Sequence, residues 1–277
     1  MADDETTNTN SWTPENSRFG LFNFLDHRSG YYTDSFPQPL IVEDTSLEET
    51  ELELNYQHTA AGDQQRSDVL SGEFQKSFGV TTFELEVPYQ RTSDSDDSSR
   101  GFGNIEVSVR APLYQFVSNR GTFDTTAGVR LGGSISVDTK VNKYSEFEPA
   151  FFNDLKIGRH FTVQTVLGYS RLFGNGKHDG EEEFEYGVAL SYTITREQLG
   201  IPGVRQISPL LEAQGDLGLN LGEAGSNDLL GSAGFRMDFK NIGELQPSIG
   251  LAYLFPMTSD AREEVHWGIV ASFTVEF

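Results

Sequence analysis

The chain closes on the run VHWGIVASFTVEF, in which every second residue is apolar: Val265, Trp267, Ile269, Ala271, Phe273, Val275 and Phe277. A period of two belongs to an extended strand with one greasy and one polar side. The pattern recurs. In ELELNYQH, Leu52, Leu54 and Tyr56 oppose Glu51, Glu53 and Asn55; in TTFELEVPYQ, Phe83, Leu85, Val87 and Tyr89 oppose Glu84 and Glu86. NIEVSVRAPL sets Ile105, Val107 and Val109 against Glu106, Ser108 and Arg110, and FDTTAGVRLGGSI sets Val129 and Leu131 against Asp124, Thr126 and Arg130. With the weaker LSGEFQKSF and AFFNDLKIG, and with FTVQTVLGYS, FEYGVALSYTI, LLEAQGDLGLN, LLGSAGFRMDFK and PSIGLAYLF, the count reaches twelve segments.

Alternation alone does not say which side faces a core, since soluble and membrane barrels both show it. Three further features decide. The polar side carries many charges: Glu51, Glu53, Glu73, Glu84, Glu86, Glu106, Arg110, Asp124, Arg130, Glu212, Asp216, Arg236 and Asp238. The apolar side is too extensive for one closed core. Aromatic residues near the segment ends, among them Tyr89, Tyr114, Tyr169, Tyr192, Tyr253 and Trp267, suit interfacial girdles. The reading is an all-β, closed antiparallel transmembrane β-barrel of about twelve strands over residues 47–277, each segment near the roughly 9–11 residues that span a bilayer. An even count returns both chain ends to one side, and the connections after odd segments, such as TAAGDQQRSD and RTSDSDDSSRG, read as long loops.

Composition agrees. Hydrophobic residues make up only 36% of the chain while aromatics reach 12%, which fits many strands around a polar interior and not a disordered acidic chain. No apolar run is long enough for a membrane helix. Without cysteine, thiol chemistry and Cys-ligated metal are excluded. The 42 acidic against 20 basic residues exclude nucleic acid as a partner, because phosphate backbones require clustered Lys and Arg. MADDETTNTN lacks a charged n-region and an apolar h-region, the start expected of a mature chain whose signal peptide has been removed, or of a cytoplasmic one.

Residues 1–46 do not alternate. The aromatic cluster around Phe22 and Phe24, followed by Asp26, His27 and Arg28, reads either as a plug in the barrel mouth anchored to interior charges or as a periplasmic arm. Acid-rich Asp94–Asp97 and Asp179–Glu183 lack a calcium-loop spacing and read as solvated loops. His58, on the outward side near a rim, is the candidate base for a lipid hydrolase, but no Ser stands two residues away on its strand. No catalytic residue, metal or cofactor is assigned.

The stretches GFGNIEVSVRAPLYQF and FGLFNFLDHRSGYYTDSFPQPL, with the closing strands, resemble the bacterial outer-membrane family described as transporters or "MetA-pathway of phenol degradation" proteins, over about residues 18–277. The terminal strand ending on Phe277 resembles the signal read by the barrel-assembly machinery. The resemblance implies a bacterial outer-membrane location and passage of a small, hydrophobic solute, and brings no catalytic residues. The excess of interior acids adds an expected preference for cations or neutral solutes. Outer-membrane lipid, the assembly machinery and a small-molecule solute are the expected partners, with no oligomeric state specified. A structural or adhesive barrel binding a partner through its acidic loops is the second reading, and the lipid hydrolase the third.

Overall fold

The computed structural model describes residues 36–45, 47, 50–62, 65–78, 81–93, 98–117 and 123–277. Twelve long strands follow one another. They are β1 (Glu51–Ala61), β2 (Gln65–Phe78), β3 (Thr81–Ser93), β4 in two pieces (Ser98–Phe102 and Ile105–Val117), β5 (Phe123–Ile135) and β6 (Ser145–Ile157). The second half comprises β7 (Phe161–Phe173), β8 (Glu182–Tyr192), β9 (Val204–Gly218), β10 (Asn227–Phe239), β11 (Gln246–Pro256) and β12 (Trp267–Glu276). Each pairs antiparallel with its sequence neighbour, and β1 pairs with β12 from Glu51 opposite Glu276 to Ala60 opposite Trp267. That last pairing closes the sheet. Strand ends such as Ser98–Phe102, toward the loop end, are paired on one side alone; between the rims the wall has no edge and its backbone groups are satisfied between strands, which lipid requires.

The two sides of the wall are inverted relative to a soluble barrel. On β1, Leu52 and Leu54 are 53% and 55% exposed while Glu51 and Glu53 are 0% and 8% exposed. The same alternation continues around the wall: Leu131, Leu167, Leu211 and Phe273 are exposed, whereas Arg130, Gln164, Glu212 and Thr274 are buried. In water such an outer surface would be a large apolar patch; in lipid it is the expected one. Among the described residues no helix is long and apolar enough to cross a membrane, so the strands are the spanning elements.

Both ends of the barrel sequence lie at one rim, here the terminal end; the opposite rim is the loop end. Loop-end connections 136–144, 174–181, 219–226 and 257–266 are long, as expected. The first two are not. β1 and β2 stay paired out to Ala61 opposite Gln65, and β3 and β4 out to Ser93 opposite Ser98, so most of TAAGDQQRSD and RTSDSDDSSRG is strand. Polar side chains there mark contact with water, not loss of backbone pairing. Two short helices finish the rims. α1 (Arg196–Leu199), at the terminal end, stops at Gly200, whose φ of 64° only glycine adopts readily. α2 (Ser259–Glu264), at the loop end, starts where the Thr258 hydroxyl accepts from the Ala261 N–H. Ala261 is buried against the barrel mouth.

Candidate functional site

The interior divides into two regions, and the lower one is filled by the chain itself. Residues 36–45 and Leu47 lie inside the barrel, meeting the wall near the terminal end at Phe36 and Gln38, at mid-depth from Leu40 to Glu43, and lower again at Thr45. Each step is held by a side chain of the inner wall. Phe36 is buried, with the Lys156 ammonium 5.7 Å from its ring centre. Gln38 donates to both Glu51 oxygens at 2.7 Å and accepts from Arg236. The backbone N–H groups of Leu40 and Ile41 donate to Glu212 Oε1 at 2.7 and 3.2 Å. Glu43 pairs with Arg130, Asp44 meets Arg110, and the Thr45 hydroxyl donates to Asp154. Val42 and Leu47 fill an apolar pocket with Phe152, Val166 and Ala189. Glycine makes room: a Cβ on Gly187 would lie 2.9 Å from Val42 Cγ1, and one on Gly250 would collide with Leu40.

Three arginines bind this inner segment to the wall. Arg110 is reached by Glu84 at 3.4 Å as well as by Asp44, Arg130 by Glu148 at 3.2 Å as well as by Glu43, and Arg236 by Glu53 at 3.5 Å. Arg236 also donates to Thr274 Oγ1 at 3.1 Å and Ser272 Oγ at 3.3 Å. Buried guanidiniums without such partners would each cost several kcal/mol, on the order of the penalty for any desolvated ion.

Above this segment lies a cavity of about 440 Å³ that reaches from Leu40–Asp44 up to α2. Among the described residues lining it stand ten carboxylates and one guanidinium, that of Arg130. Four of the acids form a row across adjacent strands. Glu53 on β1 is directly opposite Glu73 on β2, Glu73 is opposite Glu86 on β3, and Glu86 is opposite Glu106 on β4. Like charges facing each other across strands are destabilising. Folding alone gives no reason for three such contacts in succession. Leu230, Leu254, Ala261, Val265 and Val270 add apolar surface to the same lining, beside the carboxylates Asp228 and Glu264. On α2, burial and the carboxylates of Asp228 and Glu223 raise the Glu264 carboxyl above the ordinary range.

The charges named from the sequence thus fall into two sets. Glu53, Glu84, Glu86, Glu106, Arg130 and Asp216 line the cavity. Glu51, Arg110, Asp124, Glu212, Arg236 and Asp238 are buried in or below the inner segment. Phe22, Phe24, Asp26, His27 and Arg28 lie outside the described residues, as do Asp94–Asp97. Phe277 ends the chain half-exposed, its N–H donating to Thr50 O at 2.9 Å. The anchoring residues Gln38, Glu43, Asp44 and Thr45 were not singled out from the sequence. The run QPLIVEDT has no period, and its partners stand from 13 to about 200 positions away.

Other candidate chemistry finds no support in the geometry. His58 Nδ1 is 2.8 Å from Asp68 Oδ1 and its ring packs 5.3 Å from Trp267. The residues directly opposite it are Asp68 and Ile269, neither of them the serine that acyl hydrolysis of this kind needs. Among the described residues one trio, Glu146, Glu148 and Glu185, brings carboxylate oxygens within 4.8 Å, but Glu148 is already engaged by Arg130.

A closed antiparallel wall that is apolar outside and charged inside defines an outer-membrane β-barrel. Among solved structures the chain is similar to the COG4313 outer membrane channel from Pseudomonas putida F1, with a TM-score of 0.54 and 12% identity over 87% of this chain and 99% of that one. Weaker likenesses are to the NanC porin (TM-score 0.48, 6% identity, 82% and 98% of the two chains) and to the translocator domain of the autotransporter NalP from Neisseria meningitidis (0.46, 11%, 91% and 94%). At 12% identity the likeness to the COG4313 channel establishes the fold alone. No protein-family model matches the chain, and no curated protein matches it.

Proposed function

We propose that this protein is an outer-membrane channel for small cationic or neutral solutes, narrowed at its periplasmic end by residues 36–47. On this reading the terminal end faces the periplasm and the loop end the exterior, the usual orientation of such barrels. The observation that carries the proposal is the row Glu53, Glu73, Glu86 and Glu106 facing the cavity of about 440 Å³. A carboxylate row in a low-dielectric wall holds cations and repels anions. The apolar residues that share the lining, Leu230, Leu254, Ala261, Val265 and Val270, let the cavity accept the hydrocarbon part of an organic solute. The likeness to a solved outer-membrane channel is in keeping with this reading, as is the sequence resemblance to the phenol-degradation transporter family.

The inner segment sets the conductance. Its anchors are side-chain contacts to the wall, with no strand pairing, so solute passes only where the segment leaves space or shifts. Single-channel recording of the purified protein in planar bilayers tests the proposal: small, discrete conductance steps are expected. A barrel that inserts, as shown by heat-modifiable migration, yet stays electrically silent would overturn it.

A further inference from the structure

The outer wall carries a charged feature that solute passage does not use. Along β1 to β4 the outward residues fall into cross-strand rows. Tyr56 is opposite Leu70, Leu70 opposite Tyr89, and Tyr89 opposite Phe102, the last two rings meeting edge-on at 5.5 Å. This is the kind of aromatic band found at a bilayer surface. The next row toward the loop end reads His58, Asp68, Arg91, Arg100, about 7 Å further along the strands. Arg66 stands one row beyond, opposite Ala60 and Ser93.

The composition of that row runs against the rest of the chain. Where acids outnumber bases 42 to 20, three exposed guanidiniums gather on one outward sector, and Arg91 is directly opposite Arg100. Like charges in that relation cost stability. Asp68, the acid in the row, is already engaged by the Tyr56 hydroxyl and by His58 Nδ1, both at 2.8 Å. Elsewhere on the same rim the wall does neutralise an arginine: Arg171 on β7 has Glu182 of β8 directly opposite and 3.2 Å away. Among the described residues Arg66 and Arg100 have no such carboxylate across the strand. Guanidiniums just above an apolar band match a lipid whose phosphate sits at the same height, and Arg binds phosphate through paired N–H donors.

We propose that Arg66, Arg91 and Arg100 bind the phosphorylated headgroup of an outer-leaflet glycolipid, whose acyl chains run down over Leu70, Tyr89 and Phe102. The inference rests on the orientation proposed above, with the loop end outward in the outer membrane, but does not need the barrel to conduct.

The test uses the full chain in neutral detergent, with bis-phosphorylated lipid A, dephosphorylated lipid A or inorganic phosphate added and bound lipid read by native mass spectrometry. The wild type is expected to retain lipid A and to bind the dephosphorylated form about tenfold or more weakly, since a charge-assisted hydrogen bond is worth about one such factor. The combined Arg66→Gln, Arg91→Gln, Arg100→Gln variant should lose lipid A retention to a similar extent, whereas Arg171→Gln should not. Equal retention of the two lipid forms by the wild type overturns the proposal without any variant. So does undiminished retention by a heat-modifiable triple variant. Inorganic phosphate bound as tightly as lipid A would point to a free anion and overturn the lipid assignment.

Discussion

The two halves of the lumen are built from the same strands and reach opposite electrostatic outcomes. In the half at the terminal end, Arg110 and Arg236 are buried and answered by carboxylates and amides of the inner segment and wall. In the outer half, Glu73, Glu86 and Glu106 face one another, and Arg130 is the one cavity-lining base among the described residues. The lower half is arranged as a polar core, its charges paired. The upper half holds repulsion that pairing could have removed. The difference teaches that burying charge is not itself a sign of function in a membrane barrel; carboxylates set against one another without a cation between them are.

Breaking the lower network should have the largest effect. Arg236→Met leaves Glu53 and Gln38 without their partner, and loss of one member of a buried pair costs about 3–5 kcal/mol. Urea unfolding in detergent or liposomes should show that loss. Removing residues 1–47 should come next: the barrel stays closed through β1 and β12, and single-channel conductance rises several-fold. If conductance is unchanged, the inner segment is not the constriction.

The upper half should respond with the opposite sign. Glu73→Gln removes repulsion from both Glu53 and Glu86, each worth about 0.2–1 kcal/mol, so the variant should be slightly more stable than the wild type in the same unfolding assay. The smallest effect concerns α2. Because the Glu264 carboxyl is raised in the folded protein, the folded state binds its proton more tightly. The stabilisation is full below the ordinary carboxylate value and is lost as pH rises through the raised one. The α2 cap should therefore loosen over that window, seen as rising conductance or amide exchange in 257–266, and Glu264→Gln should flatten the profile.

How far all this was legible in the sequence depends on distance along the chain. Strand alternation is local, so Leu52, Glu53 and Leu54 announce their sides without help, and the wall and its inner charges follow. Polar hairpin tips such as Thr59–Asp68 read as loops because polarity reports solvent, while pairing depends on backbone register. The carboxylate row needed that register too: Glu53 and Glu73 are each visible as inward, but a one-residue slip would separate them. The inner segment was least legible, since Gln38 and Arg236 are 198 positions apart and nothing in QPLIVEDT has a period.

The reversal potential of the wild-type channel under a potassium chloride gradient tests the account most directly, because it senses the net charge that a moving ion meets. Outer-half carboxylates facing the path require a shift toward the potassium equilibrium potential, reduced when Glu73 and Glu86 are both replaced by Gln. A reversal near zero, or toward chloride, would mean that these acids do not face the conducting path.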